Sequence, residues 1–220
     1  MIAGRDVKKR AVGRRFAGES ALSMLQDAKF GRGREAIYLT VGQFSSIDWI
    51  DAILEYTGPA SAVIATWTAA NADLDKVEEW LGRARLQECS WIVDRSFPNR
   101  QPHICDMFRR KFGDDAIRCF RTHAKFSMIW NDDGWRVVAL TSANLNLNQR
   151  VEFFHAADDP ELFAQFRGMV DDVFAAQKPG QGFENDAGKA TAFKELQRKG
   201  GERRAKADGI LGNFPDIFEL

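Results

Sequence analysis

Two hydrophobic periods alternate along the first half of the chain. The run Ala36-Ile37-Tyr38-Leu39-Thr40-Val41, ended by Gly42, is rich in β-formers, and residues 61–67 and 90–94 repeat its character. Between these runs apolar residues recur every three or four positions, the period of a helix with one buried face. Ile50, Ile53 and Leu54 mark a helix over 47–56, which Ser45 and Ser46 can cap and Gly58-Pro59 ends. Leu74, Val77, Trp80 and Leu81 mark a second, opened by Asn71 or Asp73 and closing near Gly82, and a third spans 104–112 before Gly113. This alternation predicts an α/β fold, with a mixed, largely parallel sheet and helices on its faces.

From Ala116 the pattern changes to three strand-like runs, 117–129, 135–141 and 151–156. Asn131-Asp132-Asp133-Gly134 joins the first two as a hairpin turn. Asp158-Asp159-Pro160 then opens a last helix with an apolar stripe of Leu162, Phe163, Phe166, Met169, Val170 and Phe174, broken at Lys178-Pro179-Gly180. The chain divides into a basic arm over 1–34 with one short helix (19–29), a domain over 35–177, and a flexible basic tail over 178–220. That tail ends in an apolar patch of Ile210, Leu211, Phe214, Ile217 and Phe218.

Composition narrows the class. With 220 residues, 45% of them hydrophobic and 28% charged, one domain can bury a proper core. The formal net charge is zero, so global charge names no polyanionic partner. Both ends are nonetheless basic, which suits either contact with nucleic-acid phosphates or a solvated tail. Cys89, Cys105 and Cys119 lack metal-binding spacing and read as reduced core thiols. No apolar run approaches the roughly 18 residues of a membrane helix, and no signal-peptide core follows the basic start. The expectation is a cytoplasmic protein with no membrane partner.

Chemistry concentrates in a few residues. On an extended strand His123 and Lys125 share a face, placing a possible nucleophile beside a fixed positive charge. Ser142 and Asn144, again two apart, can add a hydroxyl and an amide, and the hairpin returns them toward His123. Glu152 follows on the next strand. The set reads as a phosphate-ester site. His155 faces away from Glu152 and reads as a packing histidine, as His103 reads as a residue without function. Trp67 and Arg95 follow the ends of predicted strands, where parallel sheets place ligands, and are secondary candidates for substrate contact.

His123-Ala124-Lys125 and Ser142-Ala143-Asn144 resemble the phospholipase D superfamily, whose signature is His-x-Lys, an Asp after four further residues, and Gly-Ser-x-Asn. The segment Asn148-Gln149-Arg150-Val151-Glu152 is similar to that in which its small bacterial nucleases carry an acidic residue. Thr141 stands where Gly is usual, and Trp130 stands where Asp is expected. The resemblance implies a phospholipase D-like α/β/α sandwich and a metal-independent, cofactor-free phosphodiesterase, here a nuclease acting on nucleic acid, DNA above all. It implies a phosphohistidine on His123, with Lys125, Ser142 and Asn144 supplying charge and donors and Glu152 orienting the imidazole. That mechanism needs two His-x-Lys sets, so a single-motif chain implies a site shared across a homodimer. The alternative is a catalytically silent phospholipase D-like module that binds nucleic acid or protein.

Overall fold

The computed structural model describes residues 10–14, 20–146 and 149–181, the first group as backbone alone. The tail's terminal patch and residues 1–9 of the basic arm lie outside the described residues. The elements are β1 (Arg10–Arg14), α1 (Ala21–Asp27), β2 (Glu35–Thr40), α2 (Ser46–Thr57), β3 (Ala60–Thr66), α3 (Asn71–Gly82) and β4 (Leu86–Asp94). They continue with α4 (Phe97–Arg100), α5 (Pro102–Phe112), β5 (Ile117–Phe120), β6 (Phe126–Trp130), β7 (Arg136–Thr141), β8 (Glu152–Asp158) and α6 (Pro160–Ala176).

The strands form one eight-stranded sheet in the order β1-β2-β8-β7-β6-β3-β4-β5. Six strands run one way, with β6 and β8 opposed to them. The sheet is thus mixed and largely parallel in strand direction, although only three of its seven pairings (β1 with β2, β3 with β4, β4 with β5) are parallel.

Helices cover the two faces unequally. Helices α1 to α5 bury Met24, Leu25, Trp49, Ile53, Leu74, Trp80, Phe97 and Phe108 against one face. Among the described residues only α6 covers the other, setting Leu162, Phe163, Val170 and Val173 on Val63, Ile92, Phe126, Met128 and Val138. Local chemistry sets the boundaries. Ser45 Oγ accepts from Ile47 N at 3.2 Å while Asp48 Oδ2 accepts from Ser45 N at 2.9 Å, a reciprocal cap on α2. Asp159 Oδ1 accepts from Leu162 N at 2.8 Å and starts α6 before Pro160.

Two features depart from the sequence reading. The run 117–129, expected as one strand, is two: β5 pairs with β4, whereas β6 pairs with β3 and β7, and residues 121–125 cross between them. His123 and Lys125 therefore sit on this crossing and not within a strand. The arm, expected to hold only a helix, also contributes β1, parallel to β2. Trp130 closes β6 on the α6 face, its ring 5.8 Å from that of Phe163 and the Arg167 guanidinium 5.2 Å from its centroid.

Asp158 fastens the edge of the sheet remote from the crossing. With a side chain only 5% exposed, it accepts from Gly33 N at 2.7 Å and Arg136 N at 2.9 Å and pairs with Arg32 at 3.3 Å. Asp158→Ala leaves two backbone N–H groups without their acceptor, so it should cost about 3 kcal/mol in a denaturant titration; a loss below about 0.5 kcal/mol contradicts the latch.

Asp73, in the first turn of α3, has a buried Oδ2 with no hydrogen-bond partner among the described residues. Burial, aided by the charge of Asp48, pushes its carboxyl up to about 6 from 3.8. A raised carboxyl makes the folded state bind a proton more readily than the unfolded one, so the penalty grows from about pH 4 to 6 and stays constant above. Asp73→Asn should therefore stabilise the protein at pH 8 by on the order of 1–2 kcal/mol, and the gain should vanish near pH 4.

Candidate active site

The site lies at one edge of the sheet, where β3, β4, β5 and β7 end and β6 and β8 begin. The crossing segment is tied to this edge by Asp94, the last residue of β4, whose Oδ2 accepts from Thr122 N at 3.1 Å. Its Oδ1 holds Ser96 through both backbone N, at 2.9 Å, and hydroxyl. Thr122 Oγ1 then accepts from Ala124 N at 3.0 Å, turning the chain so that His123 is exposed beside Lys125.

The lysine folds back over the histidine. Lys125 Nζ lies 3.2 Å from His123 Nδ1 and 3.3 Å from Nε2, and donates to the His123 carbonyl oxygen at 2.9 Å. The near-equal distances place the ammonium against the ring as a whole, a charge held within reach of both nitrogens. Partial burial depresses the Lys125 ammonium below its ordinary range, while the carboxylates of Glu152 and Asp94 pull it back up. Trp67, just after β3, meets the imidazole from another side with ring centroids 5.6 Å apart.

The second motif half arrives on β7, as the hairpin predicts. Thr141 N donates to Lys125 O at 3.2 Å, which joins the two halves directly. The loop after Thr141 is pinned twice to the starts of helices: Ser46 Oγ donates to Ala143 O at 2.8 Å, and Ala70 N donates to Leu145 O at 2.8 Å. Ser142 Oγ accepts from Phe153 N at 3.0 Å and donates to Glu152 Oε2. Asn144 Oδ1 is buried and has no hydrogen-bond partner among the described residues.

His123, Lys125 and Ser142 line one groove of about 360 Å³ with Ala124, Phe126, Leu140, Thr141, Phe153 and Phe166. Its walls are mostly apolar. Glu152, expected to orient the imidazole, instead binds the Ser142 hydroxyl within the chain and acts on Lys125 through its charge. Arg95 follows β4 at the same edge, its backbone N donating to Phe120 O at 2.9 Å. His155 is buried against Glu35 at 2.7 Å on the α6 face, a packing role, and His103 is exposed on α5. Asn148 lies outside the described residues.

Sequence reasoning missed Asp94, Ser96 and Arg100. Asp94 carried a signal, a carboxylate at the carboxyl end of a strand. Arg100 carried none, because its place over Trp67, 3.6 Å from the ring centroid, depends on a contact between separate elements. Among the described residues no group of three or more His, Cys, Asp or Glu side chains could hold a metal ion, and no helix is long and apolar enough to cross a membrane.

No family model and no curated protein matches the chain. Several solved structures are similar to it. NucT from Helicobacter pylori shares 15% identity at a TM-score of 0.46, covering 64% of this chain and 97% of that one. The phospholipase D family member Nuc from Salmonella typhimurium shares 11% identity at 0.46, covering 64% and 95%. Phosphatidylserine synthase from Haemophilus influenzae shares 15% identity at 0.48, covering 80% of this chain and 47% of the synthase, so the chain spans about half that enzyme's length.

Glu152→Gln removes a charge that raises the Lys125 midpoint. The ammonium should then lose its proton at lower pH, seen as an acid-ward shift in an NMR titration of the lysine side chain. An unchanged or raised midpoint contradicts the coupling.

Proposed function

We propose that this chain is a metal-independent phosphodiesterase of the phospholipase D type, a nuclease that works through a phosphohistidine in a site shared between two copies. The observation that carries this reading is the meeting of His123, Lys125 and Ser142 in one groove at the carboxyl edge of the sheet. An ammonium beside an exposed imidazole suits a tetrahedral anion: Lys125 binds phosphoryl oxygens and His123 reaches phosphorus.

In the reaction so inferred, an imidazole nitrogen of His123 attacks phosphorus and the bond from phosphorus to the leaving oxygen breaks. His123 of the second copy protonates that oxygen. The same residue then takes a proton from water as the water attacks phosphorus, and the P–N bond breaks to release the phosphomonoester and restore His123. Lys125 offsets the charge on the phosphoryl oxygens throughout. The Asn144 amide and the Ser142 hydroxyl orient the group, with Glu152 fixing the hydroxyl. Each chain carries one His-x-Lys set, so the second histidine comes from a twofold copy. Support for such a partner comes from exposed apolar residues around Phe153 of the groove: Leu39, its register partner on β2, and Val41 and Val151, next in sequence to the ends of β2 and β8. Nucleic acid, with DNA first, is the substrate that the cationic edge and basic ends suit. A cytoplasmic location belongs to the same proposal.

A second reading, a catalytically silent module binding nucleic acid or protein through the same edge, draws on Trp130 in place of the expected acid. One experiment separates them. Purified protein incubated with single- and double-stranded DNA in EDTA should cleave, and His123→Ala should lower the rate roughly a thousandfold or more. Binding without cleavage by either protein supports the silent module and sinks the enzyme. Sizing by light scattering should give a dimer, and a strict monomer that still cleaves contradicts the shared site.

A further inference from the structure

We propose that the Arg100 guanidinium, stacked on Trp67, is a platform for an unpaired nucleobase next to the phosphodiester held at His123; this rests on the nuclease reading and deepens it to single-stranded nucleic acid. The guanidinium carbon lies 3.6 Å from the Trp67 ring centroid, the separation of two stacked planes, and Trp67 is itself in contact with the His123 ring at 5.6 Å. The stack therefore stands one ring away from the nucleophile. Arg100 is exposed, so its outer face is presented to solvent.

The side chain is fixed before any ligand arrives. Arg100 Nε donates to Ser96 Oγ at 3.0 Å, and Nη2 donates to the Trp67 carbonyl oxygen. Ser96 is held in turn by Asp94, the carboxylate that also anchors Thr122, so platform and catalytic segment share one support. Exposure, a close aromatic stack and neutral partners coincide at this arginine. Arg85, Arg109 and Arg167 each spend their charge on a carboxylate, whereas among the described residues Arg100 forms no ion pair and is held by a hydroxyl and a carbonyl. A planar cation fixed by neutral groups keeps its charge for a ligand and offers a flat surface to it. Bases stack on arginine planes and aromatic rings when they are unpaired, and a duplex hides those faces. Arg95, just after β4, and Arg121, just after β5, belong to the same edge as His123.

The test uses the full-length His123→Ala protein, which leaves the ligand intact. Fluorescent single-stranded oligonucleotides, one fully based and one abasic at consecutive central positions, are titrated beside the corresponding duplex. The based strand should bind roughly tenfold more tightly than the abasic strand and the duplex. Adding Arg100→Ala should abolish that preference while retaining salt-dependent binding of the abasic strand. Arg100→Lys, which keeps the charge and guards against a folding artefact, should lose the preference too. Equal binding of based and abasic strands, or a preference that survives Arg100→Ala, overturns the platform. Cleavage by the parent protein in EDTA is scored separately. Cleavage without base preference overturns the platform alone; base preference without cleavage overturns the enzyme reading and leaves the platform standing.

Discussion

The constraint on which the site depends is the passage from β5 to β6. These strands follow one another in the chain but are separated in the sheet by β4 and β3. Three inter-strand steps of about 4.8 Å make a gap of about 14 Å, and the six residue steps from Phe120 to Phe126 reach about 20 Å when fully extended. Little slack remains once the chain has also climbed over the strand ends. Residues 121–125 must therefore lie across the carboxyl edge in an open conformation, and a segment so placed shows its side chains outward. Asp94 fixes where it lies, because its carboxylate, 7% exposed, binds Thr122 N from the end of one of the strands being crossed. The display of His123 and Lys125 is thus a consequence of strand order together with one buried carboxylate.

Much of this was legible from local signals. The alternating periods place β2 and β3 with α2, α3 and α5 close to their observed bounds, and the end of β4 though it begins four residues before the expected 90–94, since caps such as Ser45 and stops such as Gly58 and Gly113 act within a few residues. The turn Asn131-Asp132-Asp133-Gly134 announces the β6–β7 hairpin, and that hairpin alone brings Thr141 against Lys125. The split at 121–125 was not legible, because its cause is a pairing choice: β5 finds β4, and β6 finds β3, through contacts far apart in sequence. For the same reason β1 was hidden in a basic arm, where parallel pairing with β2 outweighs a composition of Arg, Ala, Val and Gly.

Charge links the two motif halves as well as hydrogen bonds do, since Glu152, which binds Ser142, also acts on Lys125. Lys125 is partly desolvated, which lowers the pKa of its ammonium, and two carboxylates on different strands offset part of that, Glu152 from β8 and Asp94 from β4. Each carboxylate also has a geometric task, Asp94 on Thr122 and Ser96 and Glu152 on Ser142. One pair of acids therefore both positions the polar groups and sustains the ammonium. A substitution at either would disturb geometry and charge together, whereas replacing Lys125 would remove the cation and leave two acids facing any phosphate that entered.

The same geometry bears on Trp130. An acid there would stand five strand positions beyond Lys125, about 16 Å along β6, on the face where Trp130 packs against Phe163 and Arg167. From that place it could not touch His123. The carboxylates that do reach the edge, Asp94 and Glu152, come from neighbouring strands, and neither depends on residue 130 for its position. Trp130 supplies contact with Phe163 and Arg167 that helps α6, the one helix on this face among the described residues, hold the sheet. An acid at residue 130 would therefore change how α6 is secured without changing which groups face the groove.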